Sequence, residues 1–298
     1  MYEVKSWNNQ FEFYELRESQ SGSWFRVCPW RGGIVTSFAP GGREMLYLDE
    51  ETLFDESTNV RGGIPVLWPI CGQLPNGEYE WDHTMYKMAN HGLARRFPWT
   101  VVGVETEGSA SITLAFESSE RTRREFPFDF RLEFRYELQD AKLTIHQTYS
   151  NLSNRPLPMH AGLHPYFLSK DKDLSYDSDA TRLFDYNTLT EMEFSGNVEL
   201  SGKVESLALL DSKRPEVSFE VSDDAGKRRI GIQYGREFRY VVLWSVDGKP
   251  FVCVEPWMAK NASLISREGL VMVPGGESIT TYVTFFDLDS GANEQGRG

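Results

Sequence analysis

The chain has 298 residues, a formal charge of −13 at pH 7 and an isoelectric point near 5.0. That acidity, with no Lys/Arg-rich run, argues against a nucleic-acid surface, and the lack of an 18-residue apolar run argues against a membrane span. Met1–Trp7 has neither the basic nor the apolar region of a signal peptide. Cys28, Cys71 and Cys253, odd in number and far apart, read as reduced thiols, so a cytoplasmic protein is expected.

In chain order, Phe11–Leu16 is the first segment to alternate apolar and polar residues. Residues 55–99 depart from alternation and carry Arg61-Gly62-Gly63-Ile64-Pro65, Trp68-Pro69, Cys71-Gly72-Gln73 and His91–Arg95. A long non-repetitive stretch on a β scaffold is usually functional. Alternation resumes at Ser111–Phe116, is cleanest over Phe130–Leu138 and repeats at Leu143–Tyr149, with Gln139–Lys142 as a hairpin connection. Further runs are Val217–Val221, Arg229–Tyr234, Tyr240–Trp244 and Thr280–Phe286. With no long amphipathic helix, the pattern predicts an all-β chain: one large antiparallel sandwich over 1–288, then a frayed tail at 289–298.

Two histidines and a glutamate stand out: His91 in N-H-G-L-A-R, His164 in G-L-H-P-Y-F and Glu255 in V-C-V-E-P-W. An imidazole and a carboxylate among aromatic and backbone-restricting residues are the parts of a proton-transfer site. Pro165 holds His164 extended and so directs its ring; the plain alternative is a histidine bonded to a backbone carbonyl. His160, four residues earlier, would share a helix face with His164 and could ligate a metal, but the strand-like context and the lack of a third ligand argue against it. Glu255 ends an apolar run, where a carboxylate is costly unless paired or functional; its alternative is an ion pair with Arg61 or Arg95. Those two arginines present planar forks suited to hydroxyls, carboxylates or phosphates. Trp68, Phe167 and Trp257 are either core or platforms for a sugar ring. No P-loop, G-x-G-x-x-G or G-x-S-x-G context is present. A glycosidase would need a second carboxylate, for which Glu205 and Asp211 are the candidates.

The motifs R-G-G-I-P-V-L-W-P-I-C-G (61–72), H-G-L-A-R-R-F-P-W (91–99), G-L-H-P-Y-F (162–167) and V-C-V-E-P-W (252–257), in this order, resemble the aldose 1-epimerase (galactose mutarotase-like) superfamily. The nearer resemblance is to its D-hexose-6-phosphate mutarotase branch. The resemblance implies a β-supersandwich, with His164 as the acid that protonates the ring oxygen and Glu255 as the base that takes the C1 hydroxyl proton. It implies Arg61, His91 and Arg95 as substrate-binding residues, joined by Trp68 from the first motif and by Gln73, which directly follows it. It also implies a small sugar or sugar phosphate as partner, no cofactor or metal, and a monomer or weak dimer. The phosphate-using relatives carry a V-D-R-[IV]-Y-like segment whose aspartate contacts the sugar. Here the region reads Val204-Glu205-Ser206-Leu207-Ala208-Leu209, leaving Glu205 or Asp211 as its stand-in.

Overall fold

The computed structural model describes residues 1–289. The cleanest alternation becomes the strand Phe130–Gln139, whose residues are buried on one face and half-buried on the other. It pairs antiparallel with Lys142–Asn151, placing Gln139 opposite Lys142. The loop between them is Asp140 and Ala141, at φ 52° and 58°. Two successive positive φ values match the twist of the flanking strands. Neither residue is glycine, and the loop is held from outside: the Glu18 carboxylate accepts the N–H of Asp140 at 2.9 Å and of Ala141 at 2.7 Å.

This hairpin sits in a nine-stranded sheet that runs in space Asn197–Val198, Leu174–Asp177, Glu216–Asp223, Gly226–Tyr234, Ser278–Asp287, Lys142–Asn151, Phe130–Gln139, Ala110–Glu117 and Thr100–Glu105. An eight-stranded sheet follows the path Thr190–Glu193, Arg182–Asp185, Leu207–Leu210, Tyr240–Trp244, Phe251–Trp257, Gly162–Leu163 and Val66–Leu67, with Tyr166–Leu168 also paired to Phe251–Trp257. A four-stranded N-terminal sheet joins Tyr2–Asn8, Glu12–Glu18, Ser23–Cys28 and Ile34–Ala39 in chain order. The pairings that build the two large sheets are antiparallel.

One core joins the three sheets: Phe134, Tyr136, Ile145 and Phe285 from the first, Val241, Leu243, Val252 and Val254 from the second, and Leu16, Phe25 and Val35 from the third. Each such side chain withdrawn from water contributes about 1.5–3 kcal/mol against the entropy of ordering. Ala208, Leu210, Val242 and Trp257 form a separate apolar group. They are the alternate residues of the same strands, so the eight-stranded sheet is covered on both faces near its middle.

Sequence periodicity misses Ser23–Cys28, Ile34–Ala39, Tyr2–Asn8, Thr100–Glu105 and the hairpin of Glu78–Trp81 with Thr84–Lys87. Ile34–Ala39 is buried at every position, which removes the wet face that alternation reports. The described helices of α type have five, four and four residues. Among the described residues no helix is long and apolar enough to cross a membrane, and all three cysteines are free and buried. Of the expected tail 289–298, only Asp289 lies within the described residues; its carboxylate accepts the Arg229 N–H at 2.9 Å.

Candidate active site

The strand Phe251–Trp257 is buried throughout. Val252 and Val254 point into the core, so strand alternation turns Cys253, Glu255 and Trp257 to the opposite face. Val242 lies directly across from Glu255 on the neighbouring strand. On the other side His164 sits between the short strands Gly162–Leu163 and Tyr166–Leu168. Its N–H donates to the Pro65 carbonyl at 3.0 Å, and the Tyr166 N–H donates to the Gly63 carbonyl at 2.9 Å. The R-G-G-I-P run is therefore the frame that sets His164 against Glu255.

His91 is placed by a reciprocal pair of bonds with Gly72. Its N–H donates to the Gly72 carbonyl at 2.8 Å, and its ring Nδ1 accepts the Gly72 N–H at 2.9 Å. Accepting at Nδ1 puts the proton of the neutral ring on Nε2. Gly72 has φ +80°, and a Cβ there would fall 1.6 Å from the Asn261 Oδ1, the atom that accepts the Gln73 N–H at 3.1 Å. No other residue allows this approach.

These groups enclose a cavity of about 250 Å³ lined by Arg61, Gln73, His91, His164, Glu205 and Glu255, with Trp244 and Trp257 as its aromatic walls. His164 Nε2 lies 3.5 Å from Glu255 Oε1, and Trp257 Nε1 donates to Glu255 Oε2 at 3.0 Å. The imidazole stacks on Tyr166, with centroids 4.7 Å apart and planes 9° from parallel, and meets His91 and Trp244 edge to face. Ring packing thus orients His164, while its buried Nδ1 has no hydrogen-bond partner among the described residues.

Burial pushes Glu255 well above the ordinary carboxylate range, opposed by the Trp257 hydrogen bond and the Arg95 charge. Burial and the charges of Arg95 and Arg61 hold His164 well below the ordinary imidazole value. His91 is lowered by burial, by Arg95, by His164 and by Arg61. The last buried imidazole, His160, is brought down to about 3 by burial alone. The pair His164–Glu255 is therefore neutral, with any shared proton on the carboxyl.

A pH dependence of folding follows. The three buried histidines have depressed folded pKa values, so below the ordinary imidazole value of 6.5 the unfolded chain binds more protons. Their contribution to stability is present above pH ~6.5 and is lost as pH falls through it. The raised Glu255 carboxyl works in the opposite sense over the same window, so the comparison is made in the Glu255→Gln background, where the urea midpoint at pH 5.5 is expected to lie below that at pH 7.5. Replacing His160 by Asn is expected to shrink the difference.

Of the residues singled out by sequence, Arg61, Gln73, His91, His164, Glu205 and Glu255 come together on one cavity wall. Arg95 is half-buried beside them and acts through its charge; its own pKa is lowered to about 10 by burial first. Among the described residues neither it nor Arg61 forms the ion pair that was the plain alternative for Glu255, whose partners are His164 and Trp257. Trp68 is a correction: it is fully buried, packed on Phe126 and Phe130 with its Nε1 toward the Met159 sulfur, so no ligand reaches its ring. Its carbonyl instead accepts the N–H groups of Leu93 and Ala94, just past His91. Asp211 is a second correction: it is exposed and paired with Arg182 at 2.6 Å, away from the cavity. His160 faces the Cys71 sulfur at 3.2 Å rather than the site. Trp244, Asn90 and Asn261 also line the cavity and carry no sequence signal beyond the position of Asn90 beside His91.

The model of the family described as "Aldose 1-epimerase" matches residues 27–195. The solved Slr1438 protein from Synechocystis sp. PCC 6803 is 33% identical, with a TM-score of 0.89 over 96% of this chain and 99% of that one. A galactose mutarotase related enzyme from Lactobacillus acidophilus, 20% identical, shares the fold with a TM-score of 0.73 over 96% of this chain and 97% of its own. The protein named "Putative glucose-6-phosphate 1-epimerase" in Escherichia coli (strain K12) is 26% identical over 80% of this chain and 81% of that one. Its namesake in Salmonella typhimurium is 29% identical over 46% of this chain, which spans 42% of that relative's length.

Proposed function

Because the chain belongs to the aldose 1-epimerase family, we propose that it is a mutarotase interconverting the α and β anomers of an aldohexose or hexose 6-phosphate. The observation that carries this is the buried imidazole–carboxylate pair, 3.5 Å apart, on the wall of a polar cavity. From the tautomer in which the pair's one proton has moved across to His164, Glu255 takes the C1 hydroxyl proton while His164 gives its proton to the ring oxygen. The C1–O5 bond breaks, C1 rotates about C1–C2, and the reverse transfers close the ring on the other face. One proton is accepted and one donated, so no group outside the pair is needed. Each partner of such a pair typically contributes about 10²–10⁴-fold.

The electrostatics favour the open-chain side of the step. After ring opening Glu255 is protonated and His164 is neutral, which is the form that burial favours in both residues. His91, with its proton on Nε2, is a neutral donor to a sugar hydroxyl. Glu205 is exposed at the edge of the same wall and can accept from another.

Arg61 supports a phosphorylated substrate. It is exposed, lies over the Trp244 ring at 5.6 Å and makes no ion pair among the described residues. NMR anomer exchange is expected to accelerate with this protein for glucose 6-phosphate and, more weakly, for free glucose. Arg61→Ala is expected to raise KM about 10–100-fold for the phosphate ester, the equivalent of one charged hydrogen bond, with little change for the free sugar. No acceleration with any hexose or its 6-phosphate sinks the assignment. Sugar binding without acceleration would mark a non-catalytic binder. Release of reducing sugar from an oligosaccharide would turn attention to Glu205 as a second catalytic carboxylate.

A further inference from the structure

The strand Tyr240–Trp244 separates two cavities. Val242 lines the one that holds His164 and Glu255, and Val241, the next residue and thus on the other face, lines a second of about 270 Å³. The second cavity presents Lys213, Arg214, Arg236 and Arg239 together with Tyr234 and Phe238, and among the described residues no carboxylate lines it. That is unexpected in a chain with 44 acidic and 31 basic residues. Two of the cations are committed: Arg214 pairs with Asp177 at 2.5 Å, and the Arg239 Nε–H donates to the Met258 carbonyl at 3.1 Å. The neighbouring Asp179 carboxylate is occupied by the backbone N–H groups of Lys213 and Arg214 and by the Ser212 hydroxyl. The side chains of Lys213 and Arg236 make no hydrogen bond or ion pair among the described residues.

We propose that this second cavity binds a small phosphomonoester, separately from the reaction site. Arg236 supplies a planar fork for two phosphate oxygens and Lys213 a mobile point charge. Tyr234 and Phe238 offer an apolar floor for the organic body. At this volume the ligand is smaller than a drug-sized molecule. The site also touches the reaction centre's supports. The Arg239 N–H donates to the Trp257 carbonyl at 3.0 Å, its guanidinium holds Met258, and the Trp257 indole holds Glu255.

The test titrates phenyl phosphate into the ¹⁵N-labelled full chain, followed by amide shifts. Shifts are expected at residues 212–214 and 236–239. Lys213→Glu with Arg236→Glu is expected to weaken them more than tenfold, while the anomer-exchange rate without phenyl phosphate stays unchanged. Lys213→Gln with Arg236→Gln, a milder pair, is expected to weaken them in the same direction, and the variant's own amide spectrum reports its folding. Arg61→Ala is expected to leave these shifts intact. Shifts confined to residues around Gly72, His91 and His164, or equal affinity in the charge-reversed variant, would overturn the proposal. Failure of the anomerase assay would count against the reaction assigned above and leave this binding result as it stands.

Discussion

Glu255→Gln is expected to slow anomer exchange by about 10²–10⁴-fold, the usual worth of one acid–base partner, and at the same time to make the protein harder to unfold at neutral pH. The two effects have one origin. Glu255 is 1% exposed, and burial raises its pKa well above the ordinary 4.5. Between 4.5 and the folded value, the native state keeps a proton that the unfolded chain has released. The carboxyl's contribution to stability therefore falls as pH rises through that window, by about 1.4 kcal/mol for each unit of difference. Glutamine has the same shape, its carbonyl oxygen can accept the Trp257 Nε1–H, and it does not titrate. The stability advantage of the variant should be smallest near pH 4.5 and grow with pH. Melting temperatures of both proteins at pH 5 and pH 8 measure it, with about 2–4 °C for each kcal/mol in a domain approaching this size. A variant less stable than the parent at pH 8 would show that the carboxylate is held by compensating interactions, and the reading of Glu255 as a carboxyl kept protonated by burial would have to be given up.

The same strand explains what sequence could reveal. Phe251-Val252-Cys253-Val254 reads as a buried run ending in a costly carboxylate, and Glu255 is indeed buried on the face away from the core. His91 and Arg61 were marked by their glycines, whose conformations bring separate loops together in space. Trp68 misled for the opposite reason: it shares a motif with site residues, yet its side chain points into the core and only its carbonyl serves the His91 loop. Asp211 misled because proximity to Glu205 in sequence does not survive a strand, Leu207–Leu210, running between them. The antiparallel sandwich was legible wherever one strand face is wet, as in Phe130–Gln139, and illegible in Ile34–Ala39, where no face is. Asn261 was out of reach of any local pattern: it enters the site from a loop 188 positions beyond its partner Gln73.

Gly63→Ala is expected to damage both the fold and the site, because the added methyl has nowhere to go. Gly63 has φ +62°, and its Cβ would lie 2.2 Å from the Val35 carbonyl oxygen. That oxygen is backbone in the buried strand Ile34–Ala39, and it accepts the Ile64 N–H at 2.8 Å. It cannot rotate aside as the end of a side chain would. Relief must come from moving residues 62–65, which also accept the Tyr166 and His164 N–H groups through Gly63 and Pro65. Strain of this kind, with the loss of buried backbone bonds, costs about 2–4 kcal/mol. The His164 backbone is tied to the displaced segment, so His164 moves relative to Glu255, which is anchored on a different strand. Misplacement of about 1 Å in a reacting pair reduces rate by about 10²-fold. Gly108→Ala, at φ +78° with nothing within 4 Å of its Cβ, is the control: it carries the backbone strain without the collision and lies outside the site. Urea midpoints and anomer-exchange rates of the two variants separate the causes. If Gly63→Ala retains full activity and loses no more stability than Gly108→Ala, the R-G-G-I-P segment does not set the geometry of the acid–base pair.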